Sequence, residues 1–359
     1  MALQGVIDAL KKTTLEEIGI SFSLADILRD IKIEGTDVKL VLFSPSEKYY
    51  AFLKQKTEEA LKPLGATKIE IEFTDQPPTQ RQQTAPPPPQ ENPFENRRRI
   101  PKVKKAIAVA SGKGGVGKST VAVNLAAALK SKGYNVGYLD ADMYGPSGPT
   151  MLGAKDKQVI GKQTEKGDVL IAPESHGIKV MSIGLLLPSE DTPVIWRGPV
   201  LFKALNQFLF DIDWGEEELD FLIIDLPPGT GDVQITLGQT AELDGAVIVT
   251  TPQDVALIDV KKGIQMFREV EIPVLGIVEN MSYFVCPDNG KAYEIFGKSK
   301  TEDIAKQYGI ELLGRIPIEP KVAEFADLGV PIVLAKPQSD SAKAFNQIAE
   351  NVINQLSKQ

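Results

Sequence analysis

The chain has 359 residues, of which 42% are hydrophobic and 25% are charged, and its formal net charge is −8. This length and composition are typical of a globular protein with two domains, or with one large domain and an appendage. The acidic charge argues against general nucleic-acid binding, which normally requires an excess of Lys and Arg. The single Cys and the single His exclude a disulfide framework and a His-rich metal site within one chain.

No apolar run in the sequence is long enough to predict a transmembrane helix. The N-terminal residues mix acids, lysines and apolar side chains and lack the apolar stretch of a signal peptide. The C-terminal segment 339–359 is amphipathic without a basic face, so it is predicted to pack against the protein. We therefore expect a cytoplasmic protein with no stable membrane association.

Residues 1–73 are predicted to form a small α+β domain. The patterns indicate a helix at 6–14, two strands around a turn within 26–44, an amphipathic helix at 46–65 and a strand at 67–73. The order resembles the FSCA-like domain of iron–sulfur assembly factors, although the Asp-Pro and the Cys that this family often carries are missing. The favoured interpretation is a docking module.

A linker is predicted over residues 74–102, where Pro, Gln and Arg dominate and branched aliphatic residues are scarce. Four consecutive prolines favour an extended polyproline II conformation, which would make the segment a semi-rigid tether. Docking of a proline-recognising domain on this segment is the alternative. Arg97, Arg98 and Arg99 close the linker and are interpreted as solvated charges.

Residues 103–359 alternate helical patterns with short, continuous runs rich in Val and Ile. Continuous hydrophobicity indicates strands that are buried on both faces, as in a mostly parallel sheet flanked by helices. We therefore predict an α/β domain. Its ligand site is expected at the carboxyl ends of the strands.

The segment "GKGGVGKST" fits the G-x-x-x-x-G-K-[ST] pattern of a P-loop and follows the first predicted strand. Glycines permit a close backbone approach, so that successive N–H groups and the start of the next helix can surround phosphate oxygens. Lys118 is predicted to neutralise the β/γ-phosphates, and the Ser119 hydroxyl to bind Mg²⁺. The predicted nucleotide-binding residues of this loop are Gly112, Lys113, Gly114, Gly115, Val116, Gly117, Lys118, Ser119 and Thr120.

Carboxylates follow two of the predicted strands. Asp140 and Asp142 come after one strand, and Asp225 ends another. Beside a P-loop, such a group can bind Mg²⁺ or its waters, or orient the attacking water. We assign Asp225 to the metal, and Asp142 to the attacking water and to the metal sphere. The Asn-Lys-x-Asp pattern that reads guanine is missing, so ATP is the expected nucleotide, with Asn280 as a contact to the base.

Four motifs together resemble one family: "KGGVGKST", "DADMYGPS", "WRGP" and "IIDLPPGTGD". They are similar to those of the Mrp/ApbC iron–sulfur cluster carrier ATPases, within the deviant Walker A group of P-loop proteins that includes MinD and ParA. The resemblance covers residues 103–356. It implies a P-loop NTPase fold, slow ATP hydrolysis and delivery of clusters to apo iron–sulfur client proteins.

The family resemblance also implies a use for Lys113, a second lysine inside the P-loop. In the deviant Walker A group, this lysine reaches the phosphates that are bound by the partner subunit. Lys113 is therefore assigned to catalysis together with Lys118 and Asp142. The implied assembly is a homodimer.

The family's cysteine signature is incomplete in this chain. A C-x-x-C pair after "NMS" would give a dimer four thiolates for a [4Fe–4S] cluster, but here Cys286 is followed by Asn289 at the second position. Asp288, Asn289, a small thiol or a client protein are the open alternatives for the missing ligands of a [4Fe–4S] or smaller cluster bridging the dimer. The competing hypothesis is a nucleotide-switched scaffold or partitioning-type ATPase in which Cys286 is only an accessible thiol.

Overall fold

The structure is a computed structural model that describes residues 3–14, 23–44, 46–74, 97–164, 167–186 and 198–358. The chain divides into two compact units, residues 1–90 and 91–359. Most of the predicted linker, residues 75–96, lies outside the described residues, as do Trp196 and Arg197 of the "WRGP" motif.

The first unit is a three-stranded sheet with two helices, as the sequence predicts. Strand β2 pairs antiparallel with β1 and parallel with β3, so β2 is central. Side chains of β2 alternate between exposed and buried, and Val38, Leu40 and Leu42 enter the core. Similarity to FSCA-like domains stays a prediction. The elements are α1 (Leu3–Lys12), β1 (Leu28–Glu34), β2 (Asp37–Phe43), α2 (Tyr50–Leu61) and β3 (Lys68–Thr74).

The second unit is the predicted α/β domain. Its strands are β4 (Val103–Ser111), β5 (Val136–Asp140), β6 (Ile160–Thr164), β7 (Gly167–Ile171), β8 (Glu174–Ser175), β9 (Ile178–Ser182), β10 (Ile212–Asp213), β11 (Leu219–Asp225), β12 (Gly245–Thr250), β13 (Val274–Glu279), β14 (Phe284–Val285), β15 (Ala292–Tyr293) and β16 (Leu312–Arg315). Its helices are α3 (Lys118–Ser131), α4 (Gly148–Met151), α5 (Gly198–Phe210), α6 (Asp232–Thr240), α7 (Asp254–Glu269), α8 (Thr301–Tyr308), α9 (Pro320–Asp327), α10 (Ile332–Ala335) and α11 (Asp340–Leu356).

An eight-stranded sheet forms the centre of this unit, in the order β16-β13-β12-β4-β11-β5-β9-β8. All neighbouring pairs are parallel except β8 with β9. A hydrophobic cluster covers each face, which explains why the central strands are apolar throughout. The carboxyl ends of β4, β11 and β5 lie side by side and create the edge where the predicted site residues gather.

Helix α11 packs against α3 and the strands β13 and β16, with Phe345, Ile348 and Val352 buried. The predicted packing of the C-terminal segment is therefore confirmed. Among the described helices, none is both long and apolar enough to cross a bilayer.

Residues just before β4 already belong to the second unit. Ile100 is buried, and the Arg98 backbone N–H donates to the Thr240 carbonyl at 3.1 Å. The Arg97 guanidinium donates to the Val270 carbonyl, and Arg99 pairs with Glu242 at 3.1 Å. The interpretation of these arginines as solvated charges is wrong for Arg97, which is half-buried, whereas Arg98 and Arg99 are exposed as predicted although both contact the folded unit.

Candidate functional site

The P-loop runs from the end of β4 to the start of α3. Gly115 and Gly117 have φ values of 79° and 81°, in the left-handed region that favours glycine. A Cβ on Gly117 would lie 2.2 Å from the Asn280 amide nitrogen. The two glycines therefore allow a tight loop that a side chain would disrupt, with the α3 N-terminus behind it. This is the geometry of an anion-binding cradle.

Lys118 is the first residue of α3, and its side chain is buried at 7% exposure. Its ammonium lies 2.5 Å from an oxygen of Asp225, 3.9 Å from an oxygen of Asp142 and 3.1 Å from the Ser119 hydroxyl. The structure thus brings together the four residues that were predicted for phosphate and metal chemistry.

Asp225 and Asp140 are register partners at the ends of the parallel strands β11 and β5, and both are fully buried. Besides Lys118, Asp225 accepts a hydrogen bond of 3.0 Å from the Tyr138 hydroxyl. Tyr138 was missed by the sequence analysis. Its signal was its position two residues before Asp140, which puts both side chains on the same face of β5.

Asp140 has a structural role in the loop that follows β5. Its two carboxylate oxygens accept the backbone N–H groups of Asp142 at 3.1 Å and Gly148 at 2.9 Å. Burial, and after it the negative charge of Asp225, raise the pKa of Asp140 to about 8. Asp140 therefore holds a proton at neutral pH, which relieves charge repulsion in the cluster.

Asp142 is half-buried, and one of its oxygens accepts the N–H groups of Tyr144 and Gly145 at 3.3 Å each. Burial raises the pKa of Asp142, and the nearby Lys118 ammonium counteracts this effect. A half-buried carboxylate with a raised pKa is suited to accepting a proton from water.

Lys113 and Asn280 lie on the other side of the loop. The Lys113 ammonium is 3.5 Å from the Gln253 side-chain oxygen, at the start of α7. The Asn280 amide is buried and donates to the Val116 carbonyl at 2.9 Å, so it supports the P-loop directly. A contact of Asn280 with the base stays a prediction.

Cys286 lies on the turn of the β14–β15 hairpin, away from the acidic cluster in sequence and half-exposed. The turn is closed by a 2.8 Å hydrogen bond from the Gly290 N–H to the Cys286 carbonyl. Asn289 uses both ends of its amide within the hairpin, since it accepts from the Lys291 N–H at 2.9 Å and donates to the Tyr293 hydroxyl at 3.2 Å. Asn289 occupies the position of the second thiolate of a C-x-x-C pair, and its side chain stabilises the turn of the β14–β15 hairpin.

Neither candidate metal centre is a complete cage of protein ligands. Within the described residues, no three His, Cys, Asp or Glu side chains are grouped as a metal-binding set. This fits Mg²⁺, which usually takes one or two carboxylates together with substrate phosphates. For an iron–sulfur cluster, it leaves Cys286 as the thiolate that each chain offers.

A family model for NUBPL iron-transfer P-loop NTPases, of the ParA group, matches residues 102–353. The chain belongs to this family. The family predicted from the four sequence motifs is thereby confirmed, and so is the P-loop NTPase fold.

Known proteins resemble this iron-transfer NTPase over different lengths. An iron–sulfur cluster carrier protein from Aquifex aeolicus is 53% identical over 99% of this chain and 98% of its own. A nucleotide-binding protein from Archaeoglobus fulgidus, solved in complex with ADP, is 40% identical with a TM-score of 0.58, over 69% of this chain and 94% of that one. MinD of Pyrococcus furiosus is 26% identical with a TM-score of 0.52, over 70% of this chain and 98% of that one. The match to the Aquifex aeolicus carrier protein therefore includes the first unit, whereas the two solved structures match 69% and 70% of the chain.

Proposed function

We propose that the chain is a cytoplasmic, homodimeric ATPase that carries an iron–sulfur cluster on the Cys286 hairpin and delivers it to apoproteins. The observation that carries this proposal is the 53% identity, over nearly the whole of both chains, to the Aquifex aeolicus iron–sulfur cluster carrier protein. The 40% identical nucleotide-binding protein in complex with ADP supports nucleotide binding at the P-loop.

The residues at the P-loop fit MgATP. The glycine cradle and the α3 N-terminus offer backbone N–H groups to phosphate oxygens, and Ser119 and Asp225 offer oxygen ligands to Mg²⁺. Mg²⁺, when bound, would supply charge neutralisation at the phosphates and at the carboxylates beside them.

The chain's own residues suggest an order of events. In the structure, the Lys118 ammonium is paired with Asp225. Phosphates that enter the loop attract the Lys118 ammonium, and this releases Asp225 to act as a ligand. Asp142, half-buried and with a raised pKa, is then free to orient and deprotonate the attacking water. Slow turnover is expected, as the family resemblance implies.

Cluster binding is tested by anaerobic reconstitution of three forms: the parent, Cys286→Ser and Asn289→Cys. We expect labile charge-transfer absorbance in the parent, its loss in the serine form and longer retention of iron in the cysteine form, because thiolates bind iron more tightly than oxygen donors. Melting temperatures control for folding, since Asn289 helps to close the hairpin.

Equal and negligible iron in the parent and in Cys286→Ser would contradict the carrier function. That result would favour the second candidate, a nucleotide-switched scaffold, which the single Cys of the sequence already supports. Labile sulfide measured beside iron separates a cluster from adventitious metal.

Lys113 is proposed to act across the dimer interface. Its ammonium makes only a long approach to its own chain, 3.5 Å from the Gln253 side-chain oxygen among the described residues, so Lys113→Ala should leave nucleotide affinity nearly unchanged. We expect weaker dimerisation with ATP and Mg²⁺ and lower turnover. Light scattering measures dimerisation, and phosphate release measures turnover. A variant that matches the parent in both would show that Lys113 has no role across the interface.

A further inference from the structure

A second buried carboxylate, Glu279, lies at the end of β13 and takes no part in the nucleotide site described above. It is completely shielded from solvent. Three hydroxyl groups donate to it, those of Ser282, Ser299 and Thr301. The Arg315 guanidinium approaches it at 3.5 Å. A buried carboxylate needs such compensation, so the four donors and the acid form one interdependent unit.

The three hydroxyls belong to the two ends of one segment. Ser282 lies just before the β14–β15 hairpin that carries Cys286, whereas Ser299 and Thr301 lie just after it, at the start of α8. One side chain therefore fixes both the departure and the return of the cysteine-bearing segment. We call Glu279 and these three hydroxyls the clasp.

The clasp is also attached to the P-loop. Asn280, the next residue after Glu279, donates its side-chain N–H to the Val116 carbonyl at 2.9 Å and its backbone N–H to the Thr250 carbonyl at 2.8 Å. Met281 then turns the chain sharply, with a φ of 53° that is unusual for a residue with a side chain. A short segment that is hydrogen-bonded at Asn280 and at Ser282 thus joins the P-loop to the hairpin.

We propose that Glu279 is a positioning residue that couples the P-loop to the Cys286 hairpin, so that nucleotide binding changes the accessibility of the thiol. A shift of the Val116 carbonyl is passed through Asn280 to the clasp, and the clasp moves both ends of the hairpin segment together. The inference rests on the proposed nucleotide binding, but it is independent of whether the hairpin carries a cluster.

The test uses the fact that Cys286 is the only cysteine in the sequence. Alkylation of the full chain by iodoacetamide, followed by mass spectrometry, therefore reports on one thiol. We expect MgADP to change the parent's alkylation rate by about five-fold or more, at the lower end of common allosteric coupling. Thr301→Val removes a hydroxyl from the clasp at nearly constant shape and should lose most of this response, whereas Thr301→Ser keeps the hydroxyl and should retain it.

The same experiment on Ser282→Ala tests the other end of the segment, in case Thr301→Val fails to fold. Glu302→Gln is the matched control, because Glu302 is an exposed partner of Arg315 at 3.2 Å and does not touch Glu279. Equilibrium dialysis of ADP is run on every form. An absence of ADP binding by the parent would count against the proposed function.

Two results would overturn the coupling while leaving the nucleotide site intact. One is a parent thiol whose alkylation rate is the same with and without bound ADP. The other is a full nucleotide response in the folded Thr301→Val and Ser282→Ala forms. Loss of the response in Glu302→Gln as well would assign the effect to Arg315 and its surroundings and would overturn the specific role of the clasp.

Discussion

Lys118→Met should abolish measurable ATP turnover, with a loss of at least about 100-fold, because removal of even one donor aimed at developing charge has an effect of this size. Phosphate release at saturating ATP measures the loss. The structure adds a second effect, since Lys118 neutralises the fully buried Asp225. Removing one partner of a buried ion pair costs about 3–5 kcal/mol of stability.

The double variant Lys118→Met/Asp225→Asn separates the two effects. It should recover most of the free energy of unfolding, as measured with urea, because no unpaired charge remains at Asp225. It should recover none of the turnover. Normal hydrolysis by Lys118→Met would remove the P-loop assignment, and unchanged stability would show that the ion pair contributes little.

Stability should fall as the pH rises from about 4 to about 8, owing to Asp140. Its folded pKa is about 8, compared with a normal value of 3.8. Across this window, the folded state holds a proton that the unfolded chain has lost, so each rise in pH favours unfolding. Asp142 contributes in the same direction because its pKa is also raised.

Asp140→Asn should flatten this pH dependence, as measured by urea unfolding at a series of pH values. Asp220→Asn is the control, because the hydrogen bond from the Asn135 N–H and the ion pair with Lys104 lower the pKa of Asp220 and keep its titration below the window. A parent whose stability is constant from about pH 5 to about pH 8 would contradict the proton on Asp140.

Local spacing made the grouping of Lys118 and Ser119 with the two acids Asp142 and Asp225 predictable. The glycine pattern, the lysine at the helix start and the acids at strand ends are each dictated within a few residues, and parallel strands bring their carboxyl ends to one edge. The short strands β6 and β7, which belong to a separate three-stranded sheet, escaped prediction. Ile160 at the start of β6 is 60% exposed, so it has little burial pattern to reveal it.

Contacts between distant segments could not be predicted. The hydrogen bonds from the Tyr138 hydroxyl to Asp225 and from Arg97 to the Val270 carbonyl form only when the strands and helices pack together. Asn280 shows the limit most clearly. Its place after a late strand suggested a contact with the base, which stays a prediction, whereas the hydrogen bond from its amide to the Val116 carbonyl was not foreseen. Position along the chain indicated the neighbourhood of this side chain but not its partner.

Helix α3 is buried along most of its length, from Val121 to Leu129. A helix on the surface has its peptide dipoles screened by water and dissolved ions, but here the surroundings are apolar and of low polarisability. The positive end of α3 therefore projects a field toward the P-loop that added electrolyte weakens little. Ionic strength should therefore change nucleotide affinity little within one chain, and should act mainly on the ATP-dependent dimerisation to which the more exposed Lys113 contributes.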